Sequence, residues 1–301
     1  MKYISIVVPI FNEEKSINTL FVNIKTINRE LNSAVEFVLV NDGSTDLTKN
    51  IIENNLNENR NIKIKLINKE RNCGYGSALK TGIRNASYEN LMIIDCDDTY
   101  PINNIKKHLD FFLKNNIDML IGDRSKSIIK KKISFLDPKF YGRIFIKFFA
   151  IFLIRKTIND LNSGYRFFKK RLIIDYFKIL PDKFSFSSTS TMLFILNEYN
   201  VKFVEIEYYK RIGKSKIRPF YDFFNFLNLI LSILIFIKPL KIFLPLFVIF
   251  FFSGSLLIIL RIFFIKQFFL TGSVLIIISL IFLFIGYLFE FLIRINFNKD
   301  N

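Results

Sequence analysis

The sequence predicts an α/β domain, with a mostly parallel sheet and helices on both faces, followed by a two-helix transmembrane hairpin. Over the N-terminal two thirds, short apolar runs rich in Val and Ile alternate with helical patterns, which is typical of a parallel sheet covered on both faces. Two long apolar runs, 242–260 and 268–293, follow near the C-terminus. The 301 residues leave room for one large domain plus this appendage.

Composition excludes several classes of protein. Lys and Arg number 43, and Asp and Glu number 26, which gives a net charge of +17. The hydrophobic share of 51% argues against a disordered chain or a nucleic-acid-binding tail, so we expect no nucleic acid partner. Two cysteines are too few for a disulfide scaffold or a zinc cluster. Polar residues follow the apolar run 4–11 at once, which argues against a signal peptide, so we expect the N-terminal domain in the cytoplasm.

Strands and helices are predicted to alternate along the N-terminal part. The only histidine, His108, falls in a predicted helix, where we expect a solvated side chain. Each predicted strand ends in polar residues, and ligands of parallel sheets bind at the carboxyl ends of the strands. Apolar spacing predicts strands at 3–11, 36–40, 62–67, 91–94 and 119–122, and helices at 17–31, 47–57, 76–85 and 102–114.

The first three strands end in motifs that fit either a binding site or ordinary turns. They read PIFNEE from Pro9, NDGSTD from Asn41 and NCGYGSALK from Asn72. Taken singly, these residues could be helix caps and turn formers. Gly74 and Gly76 precede a predicted helix and could let the backbone approach a phosphate. The sequence lacks the third glycine of a dinucleotide fingerprint and any GKS/T phosphate loop, which disfavours a Rossmann dehydrogenase and a P-loop NTPase.

Three carboxylates, Asp95, Asp97 and Asp98, follow the fourth predicted strand. Like charges beside an apolar strand repel one another, and buried unpaired charge is costly, so we expect a compensating cation. Mg²⁺ or Mn²⁺, bound by one or two carboxylates together with substrate phosphates, fits this pattern. The alternative is a solvated turn with an Asp helix cap.

The C-terminal region predicts attachment to a lipid bilayer. Run 242–260 has no charged residue, and run 268–293 carries only Glu290, which we expect to pair with Arg294 one turn away. Residues 222–237 place their polar side chains on one narrow face, which indicates a helix in the membrane interface. A third span is the alternative, but residues 238–241 leave little room to turn between two spans, which favours the interfacial helix. We therefore predict a multi-pass protein of the cytoplasmic (inner) membrane with three parts, 1–219, 220–241 and 242–301.

Six motifs occur in a fixed order along the chain: PIFNEE at 9–14, NDGSTD at 41–46, NCGYGSALK at 72–80, DCD at 95–97, DLNSGYR at 160–166 and RIGKSKIRP at 211–219. Together they resemble family-2 glycosyltransferases of the GT-A fold. Within that family they are similar to the polyprenyl-phosphate branch, which includes dolichyl-phosphate mannose synthase and its bacterial relatives. The resemblance covers roughly residues 3–220, and the hairpin also suits bacterial members.

The resemblance implies a role for each group of residues. The ends of the first two strands would hold the nucleoside of the donor, through Pro9, Glu13 and Asp42. Two aspartates would hold the metal on the diphosphate, and basic residues would meet the phosphates of donor or acceptor. The predicted residues are Asp97, Arg124 and Arg211 for catalysis, Asp95 and Asp97 for Mg²⁺ or Mn²⁺, and Pro9, Asn12, Glu13, Asp42, Gly43, Ser44, Gly74, Lys80, Asp95, Asp98, Ser188, Thr189, Lys214 and Lys216 for substrates.

The resemblance implies an inverting, metal-dependent enzyme that moves a monosaccharide from a nucleotide-sugar donor to polyprenyl (undecaprenyl) phosphate at the cytoplasmic membrane face. The acceptor phosphate, with a second pKa of about 6, is already an anion and needs no general base. Relatives often carry Gln at the position of Thr99 as a further metal contact, and here Asp98 or a water would replace it.

Two other functions stay open from the sequence. One is a membrane-anchored transferase that acts on a sugar hydroxyl of a lipid-linked or surface glycan, with Asp123 as its general base. The other is a non-catalytic membrane scaffold or flippase component. A homo-oligomer is compatible with all of these readings.

Overall fold

The computed structural model describes residues 3–32, 34–130, 159–183, 185–209, 228, 231–260 and 268–298. The predicted phosphate contacts Arg211, Lys214 and Lys216 lie outside these residues, and so does half of the predicted interfacial helix 222–237. The described end of that segment, 231–237, is helical.

The chain divides into two compact units, Met1–Asp222 and Phe223–Asn301. Strands and helices alternate in the first unit, and the second contains two long helices. The strands are β1 Ile4–Ile10, β2 Val35–Asn41, β3 Ile64–Asn68, β4 Asn90–Ile93, β5 Met119–Asp123, β6 Arg166–Lys169 and β7 Val201–Glu205. The helices are α1 Ile17–Glu30, α2 Thr48–Glu58, α3 Tyr75–Asn85, α4 Ile105–Lys114, α5 Ser125–Lys130, α6 Lys170–Ile174, α7 Phe186–Leu196, α8 Leu240–Leu260 and α9 Phe268–Asn298.

The described strands of the first unit form one sheet, in the order β3-β2-β1-β4-β6-β5-β7. Neighbouring strands are parallel, except that β6 runs antiparallel to both β4 and β5. Every residue of β2 is buried, as expected for a strand of near-continuous apolar sequence covered on both faces. The predicted α/β fold with a mostly parallel sheet is confirmed, although the sequence did not predict β6 and β7.

Apolar residues at helical spacing pack the helices onto the sheet. Helix α1 buries Ile17, Leu20, Phe21, Ile24 and Ile27 on one face. Helix α7 differs, because all of its residues are buried even though five of them carry hydroxyl groups. A helix with so many buried hydroxyls must satisfy their hydrogen bonds inside the protein.

His108 lies in the core, so the prediction of a solvated side chain is wrong. It is 7% exposed, because it shares one face of α4 with Ile105, Leu109 and Phe112, which are all buried. Its Nδ1 atom and the Tyr165 hydroxyl lie 2.8 Å apart. Burial lowers the pKa of His108 to about 4, so the imidazole is neutral near pH 7.

In the second unit, α8 and α9 are the two described helices that are long and apolar enough to cross a membrane. They pack antiparallel, since Gly254 lies against Gly272 while Phe243 lies against Gly286. A β-carbon at Gly254 would lie 2.7 Å from the Gly272 carbonyl oxygen, so this close approach requires glycine. The predicted hairpin of two long apolar helices is confirmed.

Most of the apolar surface of both hairpin helices is not covered by other described parts of the chain. In the most apolar stretches of Leu240–Leu260 and Phe269–Ile295, 6% and 11% of the residues are buried, unlike in the core helix of a soluble domain. Near the end of α9, Arg294 Nη2 donates to Glu290 Oε1 at 2.9 Å. The predicted local ion pair is therefore confirmed.

Candidate active site

The loops that follow β1 and β2 are joined by hydrogen bonds between their own residues. Asn12 has a left-handed backbone (φ 53°), and its amide donates to Ser44 Oγ at 3.0 Å. The Thr45 amide donates in return to Asn12 Oδ1 at 2.8 Å. The Glu13 amide donates to the Thr48 hydroxyl at 2.9 Å. The predicted substrate contacts Asn12, Glu13 and Ser44 thus lie together at the carboxyl ends of the strands, where they also fix the two loops.

Asp42 follows β2 directly and organises the loop after β3. It is 2% exposed, and Lys69 Nζ lies 2.5 Å from its Oδ1 atom. The amides of Cys73 and Gly74 donate to its Oδ2 atom at 3.2 and 2.8 Å. Gly43, with a φ of 69°, packs against the backbone of the same loop. The predicted nucleoside contact therefore already receives three donors from the chain itself.

The glycines at the start of α3 do not face open space. Gly74 has a φ of 104°, and a β-carbon there would lie 2.5 Å from the Asp182 carbonyl oxygen. A β-carbon at Gly76 would clash with the same stretch of backbone. That carbonyl accepts a hydrogen bond from the Ser77 amide at 2.9 Å, and the Asp182 carboxylate pairs with Lys80 at 2.7 Å. Protein backbone, rather than a phosphate, occupies the space that these glycines leave.

Of the three carboxylates that follow β4, Asp95 and Asp97 each accept a hydrogen bond from a hydroxyl. The Tyr75 hydroxyl donates to Asp95 Oδ1 at 2.9 Å, and Thr99 Oγ1 donates to Asp97 Oδ1 at 2.6 Å. Asp97 is 9% exposed and Thr99 is 1% exposed. Thr99 thus orients the second carboxylate, at the position where a further metal contact was expected.

Asp95 and Asp97 fit a divalent cation that is shared with a ligand. Within the described ranges, no group of three or more His, Cys, Asp and Glu side chains is placed to hold a metal alone. Mg²⁺, however, usually binds through one or two carboxylates plus substrate phosphates, and this pair matches that donor set. Asp98 is exposed, has a φ of 53° and accepts a hydrogen bond from Asn23 Nδ2 at 3.0 Å, so its Oδ1 atom is engaged with α1.

The segment 160–166 lies directly against Asp95. A β-carbon at Gly164 would meet the Asp95 carboxylate, so only glycine lets the two lie this close. The Gly164 amide donates to the Tyr100 hydroxyl at 2.7 Å, and Arg124 Nη1 donates to the same oxygen at 3.3 Å. Tyr100 therefore joins this segment to the predicted catalytic arginine.

Arg124 is bound by Asp160 through two side-chain hydrogen bonds. Arg124 Nε donates to Asp160 Oδ2 at 2.7 Å, and Nη2 donates to Oδ1 at 2.9 Å. Burial opposes the ionisation of both groups, yet each charge stabilises the other, which lowers the pKa of Asp160 and raises the pKa of Arg124. The guanidinium carbon also lies 5.1 Å from the centre of the Tyr208 ring. Asp160 thus fixes the guanidinium and offsets much of its charge.

Sequence reasoning gave no role to Arg166, which is fully buried. Its Nη1 atom donates to the Ser187 carbonyl at 2.8 Å, to Ser190 Oγ at 2.9 Å and to Thr191 Oγ1 at 3.2 Å. Its Nε atom donates to the Ser163 carbonyl at 3.0 Å. Burial lowers the pKa of Arg166. The hydroxyl-rich face of α7 therefore surrounds a buried guanidinium. The Ser/Thr run 187–191 before an apolar stretch is the sequence signal that could have indicated a buried polar partner.

The predicted acceptor contacts Ser188 and Thr189 lie in the same helix but in the core. They are 2% and 0% exposed, and both hydroxyls donate to the Ser185 carbonyl, at 3.0 and 2.7 Å. The structure therefore leaves neither of them an exposed surface for a substrate.

Comparison with known proteins defines the class of protein to which this fold and site belong, the glycosyltransferases. A family model described as Glycosyl transferase family 2 matches residues 5–177, more than half of the chain. The chain belongs to glycosyl transferase family 2, as the six ordered motifs predicted.

Individual relatives and solved structures are similar to more than half of this chain. It is 28% identical over 217 residues to the dolichyl-phosphate hexose transferase of Haloferax volcanii, covering 72% of this chain and 87% of the relative. It is 28% identical over 180 residues to the bactoprenol glucosyl transferase of Shigella phage SfV, covering 60% of this chain and 56% of the relative. The glucosyl-3-phosphoglycerate synthase of Mycobacterium tuberculosis, solved with Mn²⁺, UDP and glucosyl-3-phosphoglycerate, has a TM-score of 0.53 at 16% identity, covering 77% of this chain and 78% of that one. This last similarity concerns the fold alone.

Proposed function

We propose that this glycosyltransferase moves a monosaccharide from a nucleotide-sugar to a polyprenyl phosphate at the cytoplasmic face of a membrane. The observation that carries the proposal is the pair Asp95 and Asp97, held by hydroxyls at the carboxyl ends of the strands in a chain that also has a long apolar hairpin. The names of the two relatives, a dolichyl-phosphate hexose transferase and a bactoprenol glucosyl transferase, support a lipid-phosphate acceptor.

The donor would lie across the ends of β1, β2 and β4. Pro9 and Glu13 would border the nucleoside, and Asp42 would shape this side of the site by holding the loop that contains Gly74. Asp95 and Asp97 would hold Mg²⁺ or Mn²⁺. The bound ion would offset the negative charge that develops on the leaving diphosphate.

The acceptor would supply a phosphate oxygen as the nucleophile. That oxygen would form a bond to the anomeric carbon while the bond from this carbon to the diphosphate breaks on the opposite face, which inverts the configuration. Because the acceptor is already an anion, the chain needs cations rather than a base. Arg211, Lys214 and Lys216 carry the positive charge that binding the acceptor phosphate requires. Arg124 already donates two hydrogen bonds to Asp160, so it would contribute positive potential rather than a bidentate contact to the phosphate.

A sugar-hydroxyl acceptor would need a general base, and the structure does not favour the one candidate. Asp123 is 8% exposed, and its Oδ1 atom accepts the amide of Ser125 at 2.9 Å, at the start of α5. A buried carboxylate in this position accepts a backbone hydrogen bond at the start of a helix, as a capping residue does. The lipid-phosphate acceptor is therefore the better supported proposal.

The hairpin would anchor the enzyme in the membrane that contains the acceptor. Helix α8 has 21 residues and α9 has 31, so each is long enough to cross the hydrocarbon core. Two antiparallel spans place both ends of the unit on one side, and we assign that side to the cytoplasm because nucleotide-sugar donors are charged and soluble.

The test is a transfer assay on membranes that contain the full chain. Membranes are incubated with undecaprenyl phosphate and a panel of radiolabelled nucleotide-sugars, with Mg²⁺, with Mn²⁺ or with a chelator. We expect one donor to give a chelator-sensitive, organic-soluble, acid-labile product, and Asp97→Asn membranes to give none. Label that appears only in a larger glycan would overturn the acceptor assignment, and a product formed equally well with the chelator would overturn the metal assignment.

A further inference from the structure

Four carboxylates, three that follow β2 or β4 and one in the segment before β6, are held by two different kinds of partner. Lys69 donates to Asp42 and Arg124 donates to Asp160, so in both pairs the donor carries a positive charge. Asp95 accepts a hydrogen bond from the Tyr75 hydroxyl, and Asp97 accepts one from the Thr99 hydroxyl. A neutral hydroxyl fixes the direction of a carboxylate without cancelling its charge, which a lysine or arginine would do.

The two hydroxyl donors come from separate parts of the fold. Tyr75 is the first residue of α3, and Thr99 belongs to the turn after β4. The Thr99 carbonyl accepts the amide of Tyr209 at 3.0 Å, and Thr99 is 1% exposed, so its side chain has little freedom to turn away. Gly164 restricts Asp95 from its other side, since any β-carbon there would meet the carboxylate. Each carboxylate is therefore held in one direction by a hydroxyl, and Asp95 is also restricted by the backbone at Gly164.

We propose that Tyr75 and Thr99 are positioning residues that aim the Asp95 and Asp97 carboxylates at one shared divalent cation. This inference rests on the proposed function, because it takes the two aspartates as the metal ligands. Partners that orient metal ligands typically alter metal affinity or activity by about 10- to 100-fold when they are removed. Neither hydroxyl needs to touch the metal, the donor or the acceptor.

The experiment measures Mn²⁺ binding to the purified full chain with UDP or GDP present, by the electron paramagnetic resonance signal of free Mn²⁺, and subtracts the Mn²⁺ bound by the nucleotide alone. The nucleotide is included because the two carboxylates would share the ion with substrate phosphates. Tyr75→Phe and Thr99→Val each remove one hydroxyl at nearly constant volume. We expect each to raise the Kd for Mn²⁺ about tenfold or more, and Thr99→Ser, which keeps the hydroxyl, to restore it to within about twofold. The matched control is Thr81→Val, because the Thr81 hydroxyl bonds only to the Ser77 carbonyl within α3, at 3.0 Å.

Asp97→Asn separates the two ways in which the idea can fail. If Asp97→Asn binds Mn²⁺ as tightly as the wild-type chain in the presence of nucleotide, or if the wild-type chain binds none with either UDP or GDP, the metal site of the proposed function is wrong. If Asp97→Asn loses Mn²⁺ while Thr99→Val and Tyr75→Phe bind it normally, the positioning role alone is overturned. Thr99→Ala replaces Thr99→Val if the latter unfolds at a lower temperature than the wild-type chain, and unchanged Mn²⁺ binding by it would overturn the role equally.

Discussion

The loops after β1 and β2 and the loops after β4 and β5 use their polar side chains differently. In the first region, side chains mainly bind backbone: Asn12 accepts the Thr45 amide, and Asp42 accepts the Gly74 amide in addition to its pair with Lys69. In the second region, Asp97 and Arg124 are bound by side chains, since Thr99 donates to Asp97 and Asp160 pairs with Arg124. The difference teaches that similar polar motifs can fix the conformation of the loops in one region and orient charged side chains in the other. Substitutions should therefore cost stability in the first region and activity at the metal pair.

Asp97→Asn should give the largest effect. Loss of one metal carboxylate is expected to lower transfer about 1,000-fold, equivalent to about 4 kcal/mol of barrier, while the thermal midpoint stays near that of the wild-type chain. Transfer assays and thermal unfolding on the same preparation check this. Glu53→Gln, in an exposed pair with Lys49, is the control and should leave both unchanged. A large loss of stability in Asp97→Asn would contradict the division between the two regions.

Arg166→Met should destabilise the chain by about 3–4 kcal/mol. The change leaves the buried groups of Ser190, Thr191 and the Ser187 carbonyl without their donor. Denaturant unfolding of the purified chain measures the change. Arg171→Met is the matched control, because its side chain is 73% exposed and should cost less than about 0.5 kcal/mol. Equal stability of the two variants would show that the buried guanidinium is not a structural partner of α7.

Asp42→Asn tests whether a residue of the first region contributes to stability rather than to substrate binding. Lys69 would lose its charged partner and the loop at Gly74 would lose part of its anchor, so we expect a loss of about 2–3 kcal/mol in the free energy of unfolding. Transfer should fall in proportion to the loss of folded protein. A stable Asp42→Asn protein with a raised KM for the donor would instead assign Asp42 to nucleoside binding. Denaturant unfolding and donor KM, measured together, distinguish these outcomes.

The stability of the first unit should fall between pH 7 and pH 5 because of His108. Burial lowers its pKa from 6.5 to about 4, so in this range the unfolded chain binds a proton that the folded chain does not. Stability therefore rises with pH here, and the change is about 2 kcal/mol between pH 5 and pH 7. His108→Gln keeps a side chain that can hydrogen-bond to Tyr165 but does not titrate. A pH dependence that survives in this variant would show that another group causes it.

Local patterns predicted most of the fold. The five apolar strands and the hairpin were predictable because each is a run of adjacent residues. Strand β6 was not, because its four residues are held by β4 and β5, which lie far away in sequence. The burial of His108 was within reach, since its spacing from Ile105 and Phe112 is that of a helix face.

The site was only partly predictable, for the same reason. The aspartates that follow β4 carry their own signal, a carboxylate cluster after an apolar strand. The surroundings of Gly74 carry no such signal in the sequence, because the Asp182 carbonyl that lies against this glycine comes from a segment more than a hundred residues away. Likewise, nothing in the sequence near Arg124 indicates that Asp160 will bind it. Residue type indicates what a side chain can do, and only the fold determines which partner it meets.

The placement of β6 has a consequence for the order in which the nascent chain can fold. On the ribosome, β4 and β5 emerge well before Arg166–Lys169, yet both need that strand between them to pair. Until then the two strands have open edges, and unpaired strand edges favour aggregation. Co-translational assembly of this half of the sheet must therefore wait until synthesis has passed Lys169. A chain arrested before that residue should depend on chaperones far more than one arrested after it.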